Sequence, residues 1–437
     1  MECVAGISAC ATEPEFLLGR CALPAALGVI QMGNSSTQAA SLRAILAGTL
    51  LSSFGFGMAM PVIPLHATWL GASASVTGLI LAAFGAARAL VNIPAGLFGE
   101  KYGFKPVIIA GGLVWALAGA LYALASSLWV LVGLSFVMGV GRGIQWTALL
   151  ATTGKLSTPQ TRGRMMTSFS SADLLGWCPG PFVGGMLADR IGFSAAFWGL
   201  ALFEVMASAA VALMLKEPRG RDVTSLQDKT EPVFSAVSVL RSRSFVFVAA
   251  AQFFCMFGAS GVGGTLAPLL GTIQCGMSAT QIGTAMTLGA GFMVISIRIS
   301  GRLFDMNMRR ALLIGGPAGC MLAAFLFVGA NTVGVFTLAT VLVFFAAGFL
   351  HALPYAYAAS LSTSATMGRV MGILQTAGDI GYLSGPIVVG LMIDASGFTV
   401  PLLFYGGMQV LVFGSLALQV EGKRSSNGGL PAHGRPG

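Results

Sequence analysis

The chain has 437 residues, of which 55% are hydrophobic and only 9% are charged, and its mean hydropathy is +0.83. About a quarter of the residues in a soluble domain are charged, so this composition excludes a soluble globular protein and indicates one embedded in a lipid bilayer. The net charge of +9 at pH 7 does not indicate a nucleic-acid partner, because no segment concentrates Lys and Arg among aromatic residues.

Twelve apolar runs have about the 20 residues that are needed to cross the hydrocarbon. They cover approximately 43–64, 78–98, 106–126, 129–150, 167–188, 194–215, 244–266, 280–301, 310–329, 333–354, 370–392 and 398–419. The sequence therefore predicts an all-α membrane protein with two six-helix bundles, at 43–215 and 244–420. A cytoplasmic extension (1–42), linker (216–243) and tail (421–437) would complete the chain.

The basic residues predict the orientation of these spans. Of the 24 Lys and Arg residues, 20 belong to the termini or to the connectors after even-numbered spans. Because cytoplasmic loops carry the excess of Lys and Arg, we expect both termini to be cytoplasmic.

The two halves repeat landmarks at a constant offset of 205 residues. Gly180-Pro181 recurs as Gly385-Pro386, Gly96 as Gly301, and Asp189 as Asp394. Six spans return the chain to its starting side, so the halves share one orientation. Repeated halves with a polar path near the midplane are the architecture of an alternating-access transporter. Asp189 and Asp394 themselves we interpret as helix-end or turn residues.

Three motifs resemble those of the major facilitator superfamily, and the resemblance covers about 43–420. The connector after span 2 reads Gly96-Leu-Phe-Gly-Glu100-Lys101-Tyr-Gly103-Phe-Lys105, similar to the signature G-x-L-x-D-R-x-G-R-K, and Gly301 to Arg310 is its weaker counterpart. In span 4, Arg142 and Gln145 match an R-x-x-Q element. Span 5 matches G-x-x-x-G-P-x-x-G-G of the drug:proton antiporter branch through Gly176, Gly180, Pro181, Gly184 and Gly185.

The resemblance implies a gating role for the connector motifs. Glu100 would reach the start of span 11, where the helix dipole attracts a carboxylate, and would hold the cytoplasmic side closed. Asp305 would do the same at span 5. The gating set is Gly96, Glu100, Lys101, Gly103, Lys105, Asp305, Arg309 and Arg310; a hairpin turn with topology-setting charges is the alternative.

Charged residues inside spans are costly and therefore mark functional sites. Asp173 and Glu204 are the candidate proton carriers, with Arg142 or Arg88 as switching partner, and Asp379 is a further candidate. The alternative is a structural pair between helices, and for Glu204 the resemblance places span 6 at the periphery. Arg298 lies close enough to a span end to reach the interface. Span 1 has no acid, which argues against a cationic cargo.

Aromatic and amide side chains within the spans could line an apolar substrate pocket. The candidates are Gln145, Trp146, Trp177, Gln252, Phe257, Tyr355, Gln375 and Tyr382. Packing or contact with lipid is the alternative for each of them.

The sequence contains no nucleotide-binding loop, metal-ligand cluster or nucleophile motif, so we predict no cofactor, no metal and no enzymatic reaction. We predict a monomeric transporter that exports a small lipophilic compound in exchange for protons. Uptake of a metabolite by symport or facilitated diffusion is the alternative. A receptor or scaffold is a distant one, since those proteins usually append a soluble domain.

Overall fold

The computed structural model describes residues 36–157, 161–215, 243–306, 308–351, 353–361 and 367–427, and these residues contain helices but no strand. The N-terminal half comprises α1 (Ser36–Trp69), α2 (Ala74–Tyr102), α3 (Phe104–Tyr122), α4 (Leu128–Leu156), α5 (Arg162–Trp177), α6 (Gly180–Arg190) and α7 (Phe193–Met214). The C-terminal half comprises α8 (Arg243–Phe257), a π-helical segment (Gly258–Leu266), α9 (Ala267–Ile273), α10 (Ala279–Asp305), α11 (Arg309–Val328), α12 (Val333–His351), α13 (Leu353–Leu361), α14 (Met367–Ser396) and α15 (Thr399–Asn427).

The predicted all-helical membrane fold is confirmed at the level of ten spans. Within the described residues, ten helices are long and apolar enough to cross a membrane. The predicted span 167–188 falls across two shorter helices, α5 and α6, and the apolar part of α15 that is described, Thr399–Ser415, is also shorter. Twelve spans and the side of the termini remain predictions. Helix α1 begins seven residues inside the predicted extension 1–42, and α15 runs past the predicted boundary at 420.

Two prolines explain why the fifth span is interrupted and its repeat is not. Pro179 and Pro181 both lack the backbone N–H that would continue the helix, and α5 ends at Trp177 while α6 begins at Gly180. In the second half Ser384 stands in place of Pro179, and α14 continues through its single Pro386.

Glycines bring the interrupted span close to α1, as its spacing predicts. A Cβ added at Gly180 would lie 2.6 Å from the Cα of Gly57, and Gly184 packs against the main chain of Met58. In the second half Val389 replaces Gly184 and packs against Gly261, which belongs to the π-helical segment. The larger side chain thus coincides with a widened turn in the facing helix, and the halves are not equivalent.

We call the end of the bundle where α1 ends and α2 begins the distal end. Trp69 lies there with its ring centroid 6.1 Å from that of Phe193, and Ser194 donates to the carbonyl of Ala123 at 2.7 Å. The loops α1–α2, α3–α4 and α6–α7 therefore meet at this end. Across the halves, α2 packs along α14 and α6 along α10.

Candidate functional site

An ion pair joins the two halves within the bundle. The Arg88 guanidinium on α2 donates to Asp379 on α14, with Nη2 2.5 Å from Oδ1, and the two side chains are 22% and 6% exposed. Asn92 lies one turn from Arg88 and donates to the other carboxylate oxygen at 3.2 Å. A carboxylate removed from water needs such partners for both oxygens, and here both come from the opposite half.

Hydrogen bonds extend this pair into each half. In the C-terminal half, Gln252 donates to the Tyr355 hydroxyl at 3.0 Å, and Tyr355 donates to Gln375 at 2.9 Å. Gln375 lies one turn before Asp379, with its amide nitrogen 3.5 Å from the carboxylate. In the N-terminal half, the Thr147 hydroxyl on α4 donates to the side-chain oxygen Oδ1 of Asn92 at 3.1 Å. The network therefore runs from α8 to α4 through the interface.

The second intramembrane arginine, Arg142 on α4, is enclosed by aromatic rings. Its guanidinium carbon lies 4.7 Å from the ring centroid of Trp146 and 4.8 Å from that of Trp115. Ring faces attract a cation, and the attraction is stronger when the pair is desolvated. Arg142 is only 7% exposed, so its charge is held in place by the rings and by the acids beside it.

Two carboxylates lie beside Arg142, and they differ in their exposure. Asp173 on α5 lies 3.6 Å from Nη2 of Arg142, and its side chain is 30% exposed. The Ser53 hydroxyl donates to the same carboxylate at 2.5 Å. Glu204 on α7 is fully buried and accepts from the Gln145 amide at 3.0 Å, while its other oxygen has no hydrogen-bond partner among the described residues.

Ser52 completes the buried side of this cluster. Its hydroxyl accepts from Arg142 at 2.9 Å and donates to the side-chain oxygen Oε1 of Gln145 at 2.9 Å. The R-x-x-Q element thus places Arg142 toward the accessible acid and Gln145 toward the sealed one. Of the two candidate proton carriers, only Asp173 combines contact with Arg142 and exposure.

A small apolar cavity lies between the halves. Its lining residues are Phe56, Met60, Ile63, Ile80, Leu81, Phe84, Ser135, Met138, Ser260, Gly264 and Tyr382. Apolar walls with a few hydroxyl groups suit a lipophilic molecule. Tyr382 connects this cavity to the ion pair, because the guanidinium carbon of Arg88 lies 4.9 Å from its ring centroid.

Comparison with known proteins identifies the family. The model of the Major Facilitator Superfamily matches residues 45–381. The chain belongs to the Major Facilitator Superfamily. It is a multi-pass transporter of the cell membrane that carries small molecules, not an enzyme, which confirms the family expected from the motifs.

Two relatives are similar to the chain in sequence, and one solved structure is similar to it in fold. The chain is 24% identical over 389 residues to Multidrug resistance protein 2 of Bacillus subtilis, covering 87% of this chain and 96% of the relative. It is 26% identical over 351 residues to a chloramphenicol resistance protein of Pseudomonas aeruginosa, covering 78% and 80%. The inward-facing, unoccupied structure of a bacterial homolog of the human lysosomal transporter Spinster superposes with a TM-score of 0.72 at 13% identity, covering 88% and 96%.

The superfamily connector motif lies between α2 and α3. Gly103 adopts φ +89°, a conformation that favours glycine, and Lys105 donates to the carbonyl of Leu215 at the end of α7 at 2.9 Å. A Cβ added at Gly96 would meet no atom of the described residues within 4 Å, and Glu100 and Lys101 are exposed. The side chains of Asp305, Arg309 and Arg310 lie outside the described residues, as does that of Arg369 at the start of α14. The gating role of this superfamily motif therefore stays a prediction.

The predicted pocket residues divide into four groups. Tyr382 lines the cavity, while Gln252, Tyr355 and Gln375 form the interfacial network. Gln145 and Trp146 surround Arg142. The other two pack against rings: Trp177 stacks on Phe344 of the opposite half at 6.0 Å, and Phe257 is buried beside Phe254.

Sequence reasoning missed several polar partners. Asn92 lies four residues after Arg88, on the same helix face, and this spacing could have indicated it. Ser52 and Ser53 had no such signal, because hydroxyl groups are common in apolar helices and reveal their partners only in three dimensions.

Proposed function

We propose that this superfamily transporter exports a small lipophilic or amphipathic compound in exchange for protons. Proton coupling needs a carboxylate that can exchange a proton and whose charge changes its interaction with a neighbouring charged group. The contact between Asp173 and Arg142 is the observation that supports the proposal, because it combines 30% exposure with a buried cation 3.6 Å away.

Protonation of Asp173 would remove the negative charge that faces Arg142. Arg142 would keep Ser52 and the aromatic rings, and Glu204 would remain on Gln145, but the ion pair with Asp173 would be lost. Loss of one partner from a buried ion pair is unfavourable, so the relative stability of alternative arrangements of α4 and α5 would change. The protonation state of Asp173 would in this way bias the equilibrium between conformations.

Glu204 would serve the cluster as a positioning group. It is fully buried and holds the Gln145 amide, so it has no direct route for exchange of a proton with water in this conformation. Asp379 would link the halves through its ion pair with Arg88, which can form only when the two bundles bring these residues together.

Export is supported by the span-5 motif and by the relatives. Their names include multidrug resistance and chloramphenicol resistance. The distribution of Lys and Arg would place the distal end outside the cell.

A susceptibility screen tests this proposal. Cells that lack their own exporters would express the chain or the variant Arg142→Gln, and they would be challenged with chloramphenicol, a quinolone and ethidium. We expect the parent to raise the inhibitory concentration of one or more of these compounds and the variant to lose the effect. Unchanged susceptibility with the parent in the membrane would contradict export of this class of compound.

A further inference from the structure

The N-termini of α2 and α10, at the distal end, each donate hydrogen bonds to a side chain from the opposite half. The first turn of a helix leaves backbone N–H groups without partners inside the helix. In α2, Ser73 accepts from the N–H of Val76 through its hydroxyl and from Thr77 through its carbonyl, at 3.3 and 3.0 Å. Two donors remain, on Ala74 and Ser75.

Asp394 at the end of α14 binds both of these donors. Its carboxylate oxygens accept from the N–H groups of Ala74 at 3.0 Å and Ser75 at 2.9 Å. Helix α2 belongs to the N-terminal half and α14 to the C-terminal half. One carboxylate therefore pairs the two N–H groups at the start of α2 that Ser73 does not pair.

The same arrangement recurs with the halves exchanged. Ser278 accepts from the N–H of Gln281 at 3.3 Å and that of Ile282 at 3.1 Å. Asp189, at the end of α6, accepts from Ala279 at 3.1 Å and Thr280 at 2.8 Å. Each of these residues lies 205 positions from its counterpart in the other half, so the two contacts are related by the internal repeat.

The glycines next to each carboxylate allow the helices to meet. Gly390 packs against the backbone of Ala74, and Gly185 packs against that of Ala279. Gly78 and Gly283 pack against the carbonyls of Pro386 and Pro181. A side chain at any of the four would collide with main-chain atoms, which cannot move aside easily. Because each of these glycines contacts the main chain of the opposite half, the contacts exist only while the distal ends of the halves are closed.

Charge strengthens these contacts. Partial burial opposes ionisation of Asp189, but hydrogen bonds from Thr280, Ser278 and Ala279 outweigh it and hold the pKa of the carboxyl below its ordinary value. The ionised group faces the positive end of the helix dipole of α10. Opening of the distal end would transfer these carboxylates and four N–H groups to water.

We propose that Asp189 and Asp394 are a pair of reciprocal latches that hold the distal side of this transporter closed and set its conformational equilibrium. Each latch joins a helix end of one half to a helix start of the other, so neither can persist when the bundles separate. The proposal depends on the transporter family and not on the direction of transport or on the coupling ion.

Cysteine accessibility tests the latches. Ile63 lies in α1, which ends at Trp69 at the distal end, and it lines the cavity between the halves with 6% of its surface exposed. The substitution Ile63→Cys, in a full-length background without other cysteines, would therefore report distal opening. A membrane-impermeant maleimide would be applied to intact cells and, separately, to inside-out vesicles. The comparison identifies the face to which the distal end opens, so an error in the predicted orientation would not affect the result.

Asp189→Asn and Asp394→Asn should each raise the labelling rate from the distal side by about threefold to tenfold, in the range expected for loss of a helix cap. The amide offers one oxygen where the carboxylate offers two, and it is neutral. The double variant should exceed either single variant, and Ala should exceed Asn. Arg190→Gln, beside Asp189 and equally at the surface, should leave the rate within about twofold. A double variant labelled at the parental rate would overturn the proposal.

Discussion

The variant Asp379→Asn tests the ion pair between the halves. Asp379 is 6% exposed and accepts from Arg88 at 2.5 Å and Asn92 at 3.2 Å. Asparagine has nearly the same shape but offers one acceptor oxygen to these two donors, and it leaves the Arg88 guanidinium without a counter-charge.

The magnitude follows from the burial of the two partners. Removal of one partner from a buried pair costs about 3–5 kcal/mol. Arg88 is 22% exposed and can recover some hydration, so we take the lower end, about 3 kcal/mol. If the pair forms in only one of the two conformations, that conformation loses roughly 100-fold in relative population.

The assay is the labelling of Ile63→Cys described above, together with resistance to the compound that the susceptibility screen selects. Asp379→Asn should raise the labelling rate and reduce resistance. A double-mutant cycle with Arg88→Gln should show that the second substitution adds little once the first is present. Arg298→Gln is the matched control, because Arg298 is an exposed arginine of α10 and should be neutral. Fully additive effects, or an unchanged labelling rate in Asp379→Asn, would refute the interfacial role.

Other predictions concern the N-terminal half. Asp173→Asn should abolish gradient-driven transport but retain substrate exchange in vesicles. Glu204→Gln should retain both activities within about threefold, because the hydrogen bond from Gln145 can survive. Equal losses in the two variants would contradict their different roles. Gly180→Leu should leave little transport in cells that still produce the protein, because steric overpacking costs about 1–3 kcal/mol or more; normal flux would contradict close packing on α1. Glu100→Gln should insert normally but transport more slowly if the connector motif gates, and an unchanged rate would exclude that role.

The sequence predicted the helical repeat because hydrophobic length and the 205-residue offset are local properties that survive in any arrangement of the helices. It also predicted that the glycines at 176, 180 and 184 lie in a close helix contact. Their partner was not predictable in this way, since spacing along one helix does not identify the helix that faces it. The actual partner is α1, with contacts at Gly57 and Met58.

Intramembrane charges were recognisable from their cost in lipid, but their pairing was not. Arg88 and Asp379 are 291 residues apart and meet only across the interface. The sequence named both Asp173 and Glu204 as candidate proton carriers and placed the span of Glu204 at the periphery, whereas Glu204 is fully buried. The difference in exposure between the two acids depends on the packing of α1, α4 and α7 around them. Asp189 and Asp394 were visible as helix-end acids, and the structure agrees that they lie at helix ends. Their contacts with the opposite halves were not predictable from either acid alone, because each contact also depends on which helix start faces it.

Exchange of substrate for protons is the central claim, and proteoliposomes test it most directly. The purified chain would be reconstituted with a pH-sensitive dye inside the vesicles, and the compound selected by the susceptibility screen would be added outside. With an acidic lumen, we expect the compound to accumulate while the lumen becomes more alkaline, and we expect both changes to disappear in Asp173→Asn. Accumulation with an acidic exterior instead, with protons entering alongside the compound, would contradict antiport and establish uptake by symport.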